Sequence, residues 1–397
     1  MSINPVDVER ADVYKGSLLA GSLRRETDDV VFEYLADYTG APVATTLPRP
    51  PSSHLSRGGA VPAFFAGLLP EGRRLSALQA RLKTSRDDEF SQLVAIGADC
   101  IGDVRVIAPD TAPNLEPTIE AAEPHNISLR TLLESEIGSL GRGPNVPGVQ
   151  DKISNRMVSV PVVGAFGPAI IKISPPEVPR VVENEAFFLD VARACGLEVP
   201  HFRVITDRDD VTGLVISRFD RTRLRDGTTL SLAQEDAVQL AGRWPASKYR
   251  MTTREVFAAV ANVVDAPVVE LTKLLRLFAM SYIIGNGDLH AKNVSVYLKD
   301  DLWRVTPAYD IVSTLPYGDR TMALSLEGRD DHIRARDFIT IAARHDIGEK
   351  VTRRILKEVV EACLDLIPHV DSVGLEERRS DDLKNTARKR AAELVDD

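Results

Sequence analysis

The segment Gly285-Asn286-Gly287-Asp288-Leu289-His290-Ala291-Lys292-Asn293 gathers a carboxylate, an imidazole, an ammonium and two amides within nine residues. Its D-x-H-x-x-N spacing suits phosphoryl transfer, in which a carboxylate orients the attacking hydroxyl and an Asn helps to hold Mg²⁺. Asp310, in Thr306-Pro307-Ala308-Tyr309-Asp310, supplies the second acid that such a site needs. Two polar turns flanking a hairpin would explain the same string without chemistry, but the hairpin-spaced Asp310 favours the chemical reading. Lys172 is the one charge in Ala169-Ile170-Ile171-Lys172-Ile173. An ammonium in an apolar strand needs a partner or a ligand, unless the strand lies at an edge and the side chain reaches solvent. Glu183 and Glu185 follow within reach. Helical spacing puts Glu185 on the face of Phe188, Leu189 and Ala192, so Glu185 is the expected partner.

The elements that must hold these groups are legible around them. An apolar helix runs into Gly285, and Val294–Leu298 and Trp303–Val305 read as a hairpin that brings Asn293 and Asp310 to one cleft edge. Arg156–Val163 and Ala169–Ile173 read as a second hairpin around Gly164-Ala165-Phe166-Gly167. A helix from about Val182 to Ala194 follows, closed by Gly196 with Pro200 beyond. Upstream, Gly141-Arg142-Gly143-Pro144-Asn145-Val146-Pro147-Gly148-Val149-Gln150-Asp151-Lys152 is glycine-rich enough for close backbone approach to phosphate oxygens. It has neither the GxGxxG nor the GxxxxGK[ST] form, so its residue types alone give only a loop. The first hundred residues hold short strands (Val30–Tyr34, Val104–Ile107) and a short helix from Phe64 stopped by Pro70. A further helix is opened by Ser85-Arg86-Asp87-Asp88 and ended by Gly97. A polar, proline-containing stretch from Ala108 to Asn126 reads as a linker. Beyond residue 229 the chain reads as helical, with the one hairpin as its exception. The expected class is α+β, with a β-rich part, a helical part and a cleft between them.

Composition narrows the setting. The chain has 397 residues, 44% hydrophobic and 27% charged, which excludes a disordered tail or a small disulfide scaffold. Its formal charge of −9 argues against coating nucleic acid directly. Cys100, Cys195 and Cys363 are far apart and lack CxxC spacing, which suits a reducing compartment. The most apolar run, Leu274–Ile284, is short and broken by Arg276, so no membrane contact is expected. The N-terminus has no apolar leader, and a cytoplasmic location is the expectation.

Taken in order, PGVQDK, IIKI, ENEAFF…ACGLEVP, SRFDR, QEDAVQL…KY, GNGDLHAKN and PAYD resemble the HipA family of serine/threonine kinases, the toxins of HipA–HipB toxin–antitoxin systems. FFAGLLPEGRR and FSQLVAIGADCIGDV resemble that family's N-terminal subdomain, so the likeness covers most of the chain. It implies a two-lobed protein-kinase-like fold: an N-terminal subdomain over 1–112, an N-lobe with the phosphate loop over 113–228, and a helical C-lobe with the catalytic loop over 229–397. It implies Mg²⁺ and ATP. Asp288 would be catalytic, Asn293 and Asp310 metal ligands, and Lys172 the ATP lysine paired with Glu185. Pro147, Gly148, Val149, Gln150, Asp151 and Lys152 would form the phosphate loop, and Ser217, Arg218 and Phe219 the adenine-holding segment. His290, Lys292 and Tyr309 would lie near the nucleotide, although His290 could equally buttress the loop and Arg218 could pair with Asp220. The implied partners are a protein substrate, with an aminoacyl-tRNA synthetase as the family's best-known target class, and a HipB-like helix-turn-helix antitoxin through which DNA is met. Two positions depart from the pattern. Asn145, which cannot accept a phosphoryl group, stands where relatives carry an autophosphorylated serine, so either that off-switch is missing here or another residue such as Ser139 or Ser154 takes the role, and Ser217 replaces an acidic residue of some relatives. Two other readings use the same residues. One is a small-molecule phosphotransferase of the aminoglycoside type. The other is a weakly active binding partner of a repressor, whose C-terminal helix (Lys384, Arg388, Lys389, Arg390) touches phosphates.

Overall fold

The computed structural model describes residues 4–27, 29–85, 87–111, 128–132, 158–164, 167–224 and 228–395. Their fold is α+β, built from antiparallel sheets and a helical C-terminal part. The first unit is a sheet of β1 (Arg10–Lys15), β2 (Leu18–Glu26), β3 (Asp29–Tyr34), β4 (Ser53–Ser56) and β5 (Val104–Ile107), ordered β4-β3-β2-β1-β5. Against it lie α1 (Ala63–Gly67), α2 (Gly72–Leu82) and α3 (Glu89–Ile96). Leu23, Phe32, Phe65, Phe90 and Leu93 fill its core. Asp88 caps α3 by accepting from the Ser91 N–H, so the cap lies three residues later than a Ser85-led box would put it. The sequence did not suggest α2, because Pro70-Glu71-Gly72 reads as a stop. Here those residues form the turn that starts a new helix.

The second unit is a four-stranded sheet ordered β6-β7-β9-β8, from β6 (Val158–Gly164), β7 (Gly167–Ile173), β8 (Phe202–Thr206) and β9 (Thr212–Ser217). The β6–β7 hairpin closes with Gly164 opposite Gly167. Ile171 and Ile173 face one core with Val160, Val162 and Val215. Residues on the other face of β7 meet α4 (Val181–Ala194), whose Val182, Phe188 and Leu189 are wholly buried.

Two short strands, β10 (Arg221–Arg223) and β11 (Thr229–Ser231), then pair with each other. Next come β12 (Gln234–Asp236), α5 (Ala237–Leu240), α6 (Thr253–Ala261) and α7 (Pro267–Ile284). The hairpin of β13 (Ser295–Lys299) and β14 (Leu302–Val305) precedes α8 (Ala335–Ala343), α9 (Glu349–Leu366) and α10 (Glu377–Val395). The hairpin is not the sole break in this helical part, for β12 pairs with β13 to make a three-stranded sheet. Three polar residues carry no local strand signal, and the pairing is made by tertiary contact alone. α7 runs through the largest core, with Leu274, Leu275, Phe278, Tyr282 and Ile283 buried. Among the described residues no helix is long and apolar enough to cross a membrane.

Candidate active site

Lys172 sits on β7 between Ser159 of β6 and Leu214 of β9, on the face that meets α4, and is only 7% exposed. Its Nζ donates to both carboxylate oxygens of Glu185, at 2.7 and 2.9 Å, and to Asp310. Glu183, one helical step away, pairs instead with Arg180 at 2.8 Å. Burial alone would favour the neutral amine. The Asp310 and Glu185 carboxylates more than reverse that and hold Lys172 above the ordinary ammonium range. Burial pushes Glu185 upward, Lys172 draws it back, and Asp310 adds to the rise. Asn184, which the sequence did not single out, exchanges two hydrogen bonds with Ser313: Nδ2 to Ser313 O at 3.1 Å and Ser313 N–H to Oδ1 at 2.9 Å. Consecutive residues of α4 therefore fasten the stretch that follows Asp310.

The loop after α7 is set by two glycines. Gly285 ends the helix at φ +67°, and a side chain there would also strike Leu315. At Gly287 a Cβ would lie 2.7 Å from Thr321 O and 2.8 Å from Thr314 Oγ1, while its N–H donates to that Oγ1 at 2.9 Å. Asp288 follows, fully buried. Its N–H donates to Asn286 Oδ1 at 3.0 Å. Its carbonyl accepts from the His290 N–H at 2.8 Å and from Asn293 Nδ2 at 2.9 Å. Its Oδ1 accepts from Tyr249 Oη at 2.9 Å. Tyr249 entered the sequence reading only as part of a motif, yet it touches the central carboxylate. Burial and the Asp288 charge hold its phenol far above the usual range, so it donates and does not ionise.

His290 is buried, with its ring edge-on to Tyr249 at 5.0 Å. Burial and then Lys248 bring its pKa down to about 4, so the imidazole is neutral at pH 7. Its Nδ1 has no hydrogen-bond partner among the described residues. Tyr309 Oη donates to Lys292 O at 2.8 Å and meets Ser295 Oγ at 2.6 Å. The next residue, Asp310, takes φ +53°, a left-handed conformation that Asp tolerates, and its carboxylate reaches Lys172.

The donor set suits Mg²⁺. Asn293 and Asp310 offer hard oxygens, and Nδ2 of Asn293 is committed to Asp288 O, so Oδ1 is the atom with which Asn293 could hold a metal. Two carboxylates around one ammonium leave a surplus negative charge. Among the described residues no group of three His, Cys, Asp or Glu has metal-site geometry. The protein's two oxygens would therefore be completed by phosphate and water, as Mg²⁺ prefers.

The remaining residues divide. Phe219 lies 5.5 Å from Tyr309 and 6.2 Å from Tyr297, an aromatic group at the end of β9 beside Asp310. The N–H groups of Ser217 and Arg218 are used by His201 O and Pro168 O, at 2.8 and 2.9 Å. The Arg218 guanidinium is turned to Asp220, Asp99 and Cys100 O, so its side chain is a clamp between units. Lys292 binds Gly67 O at 3.1 Å and Glu71 at 3.2 Å, contacts to the N-terminal unit. Residues 147–152, with Asn145, Ser139 and Ser154, lie outside the described residues.

Comparison with known proteins gives the family and the fold of the chain. The family model of the HipA-like C-terminal domain matches residues 145–367, more than half of the chain, and that of the HipA N-terminal domain matches 11–107. The putative kinase Y4mE of Sinorhizobium fredii is 28% identical over 371 residues, 86% of this chain and 87% of that protein. The serine/threonine-protein kinase toxin HipA of Shewanella oneidensis is 23% identical over 397 aligned residues, 90% of each. The Shewanella oneidensis HipA, HipB and operator DNA complex contains a chain of the same fold, with a TM-score of 0.78 at 19% identity over 97% of both chains.

Proposed function

The chain belongs to the HipA family of kinases, and on that premise we propose that it is a Mg-ATP-dependent protein serine/threonine kinase. The observation that carries this reading is the single ammonium of Lys172 joined to Glu185 from one unit and Asp310 from another. A merely structural lysine on an apolar strand needs one acid; this one meets two that lie 125 positions apart in sequence, Glu185 and Asp310. With nucleotide bound, Lys172 orients the α- and β-phosphates, and Phe219 and Tyr309 offer aromatic faces to the purine. Asn293 and Asp310 would hold Mg²⁺, which would neutralise phosphate charge. Asp288 orients the acceptor hydroxyl and receives its proton as the bond from the γ-phosphorus to the ADP oxygen breaks and the bond to the acceptor oxygen forms. Tyr249 keeps the Asp288 carboxylate in position until the acceptor arrives.

The acceptor we favour is a protein serine or threonine, an aminoacyl-tRNA synthetase being the first to try. A HipB-like antitoxin is the proposed partner, through which DNA would be met. The test is phosphate incorporation into cell extract with Mg-ATP, comparing the protein with Asp310→Asn. Incorporation is expected to fall about a hundredfold or more in the variant. Equal incorporation by both contradicts the reading, and transfer to free aminoglycosides with no protein acceptor would favour the small-molecule alternative.

A further inference from the structure

Resting on the kinase reading above, we propose that Glu71, carried by the N-terminal unit, is a positioning residue for phosphotransfer that clasps both flanks of the catalytic loop. Its carboxylate binds the Lys248 ammonium and, at 3.2 Å, that of Lys292. Each lysine leads to a reacting group. Lys248 precedes Tyr249, whose hydroxyl donates to Asp288, and its carbonyl accepts from the Ala291 N–H at 3.2 Å. Lys292 precedes Asn293, and its carbonyl accepts from Tyr309 Oη. One carboxylate thus ties the segment that orients Asp288 to the segment that presents the proposed metal ligand.

The lysines of the clasp are nearly buried, Glu71 is 28% exposed, and two carboxylates oppose the two cations. The lysine side chains are 10% and 12% exposed. Glu71 and, at 4.0 Å from Lys292, Asp236 oppose the two cations. A nearly buried ammonium stripped of its counter-charge is strongly unfavourable, so loss of Glu71 destabilises the setting of Lys248 and leaves Lys292 with Asp236, at 4.0 Å, as its counter-charge. Burial alone would raise the Glu71 carboxyl, but Lys292 and Lys248 pull it down to about 2, and it stays ionised at neutral pH. The docking around it is close-fitting. Gln239 Nε2 donates to Phe64 O at 2.9 Å, and a Cβ on Gly67 would lie 2.7 Å from the Gln239 side chain. A separate docking bond, the Thr45 N–H to Glu235 at 2.8 Å, joins the same units through β12, and the Glu235 carboxylate is turned to Thr45 and not to the lysines of the clasp.

That second bond supplies the control. The expected result for Glu71→Gln is a kcat lower by about tenfold or more, with the KM for ATP within about threefold. Amide hydrogen exchange over residues 286–293 is expected to quicken in the variant even without nucleotide. Glu235→Gln, which weakens docking alone, is expected to keep the wild-type kcat and loop exchange, and Glu71→Asp to recover part of the loss. Unchanged kcat and exchange in Glu71→Gln, or identical effects of Glu71→Gln and Glu235→Gln, overturn the proposal. If Glu71→Gln does not fold, Glu71→Asp is measured in the same way, and wild-type values there overturn it. If the wild type itself transfers no phosphate, the kinase reading fails, and the exchange comparison alone decides the role of Glu71.

Discussion

At the scale of single residues the site is a set of buried charges whose protonation states follow from their neighbours. His290 has the clearest consequence. Its pKa of about 4 lies below the ordinary 6.5 because burial and Lys248 disfavour the imidazolium. The unfolded chain therefore binds more protons than the folded one between those values. Stability attached to this residue is complete above about pH 6.5 and drains away as the pH falls towards 4, by on the order of 3 kcal/mol. Urea unfolding of the wild type and of His290→Gln at pH 7 and pH 5 checks this. The wild type is expected to lose more stability than the variant, and parallel losses would contradict the assigned environment. Glu71, with a depressed pKa, acts in a lower window. Its contribution is present above about pH 4.5 and is lost only as the pH falls towards 2.

At the scale of elements, function depends on where strands and helices stop. α7 must end at Gly285 and the chain must turn through Gly287 for Asp288 to stand under Tyr249. Gly287→Ala puts a Cβ against the Thr321 carbonyl, a backbone atom that cannot rotate away. A loss of about 1–3 kcal/mol in unfolding free energy is expected, together with a lower phosphotransfer rate. Wild-type stability in that variant would show that the loop accommodates the methyl group. Much of this level was readable beforehand. The β6–β7 hairpin announced itself by its glycine turn, and the helical period separated Glu185 from Glu183. What escaped was set by distant contact. β12 is three polar residues recruited by β13, and α2 starts where a proline and a glycine suggested an end. Glu71 and Tyr249 fall inside stretches that resemble the family, but their roles carry no local signal, because those roles come from partners far along the chain. The expectation that Lys292 lies near the nucleotide came from its place in the loop, whereas its ammonium is committed to Glu71 and Gly67 O.

At the scale of the whole molecule, the N-terminal unit is bound along a chain of contacts. At the segment after β9, Arg218 and Arg221 grip Asp99, and the Asp220 carboxylate accepts from the Gly102 N–H at 3.0 Å. Further contacts reach β12 and α5 through Glu235 and Gln239, and the catalytic loop through Lys292. Two of the four residues of the C-terminal basic run are committed to partners, while Arg388 and Lys389 are exposed. Lys384 is paired with Asp371, and Arg390 is buried against Tyr282 O and Asp331. A net charge of −9 argues against coating DNA directly and is compatible with DNA met through a partner. The proposed function requires these parts to assemble one phosphotransfer site around Asp288. Single-turnover transfer from Mg-ATP to a protein acceptor by Asp288→Asn, beside nucleotide affinity and melting temperature, is the decisive measurement. Affinity and melting temperature are expected near the wild type, with transfer slowed by about 10²–10⁴-fold. Wild-type transfer by the Asp288→Asn protein would contradict the proposed function.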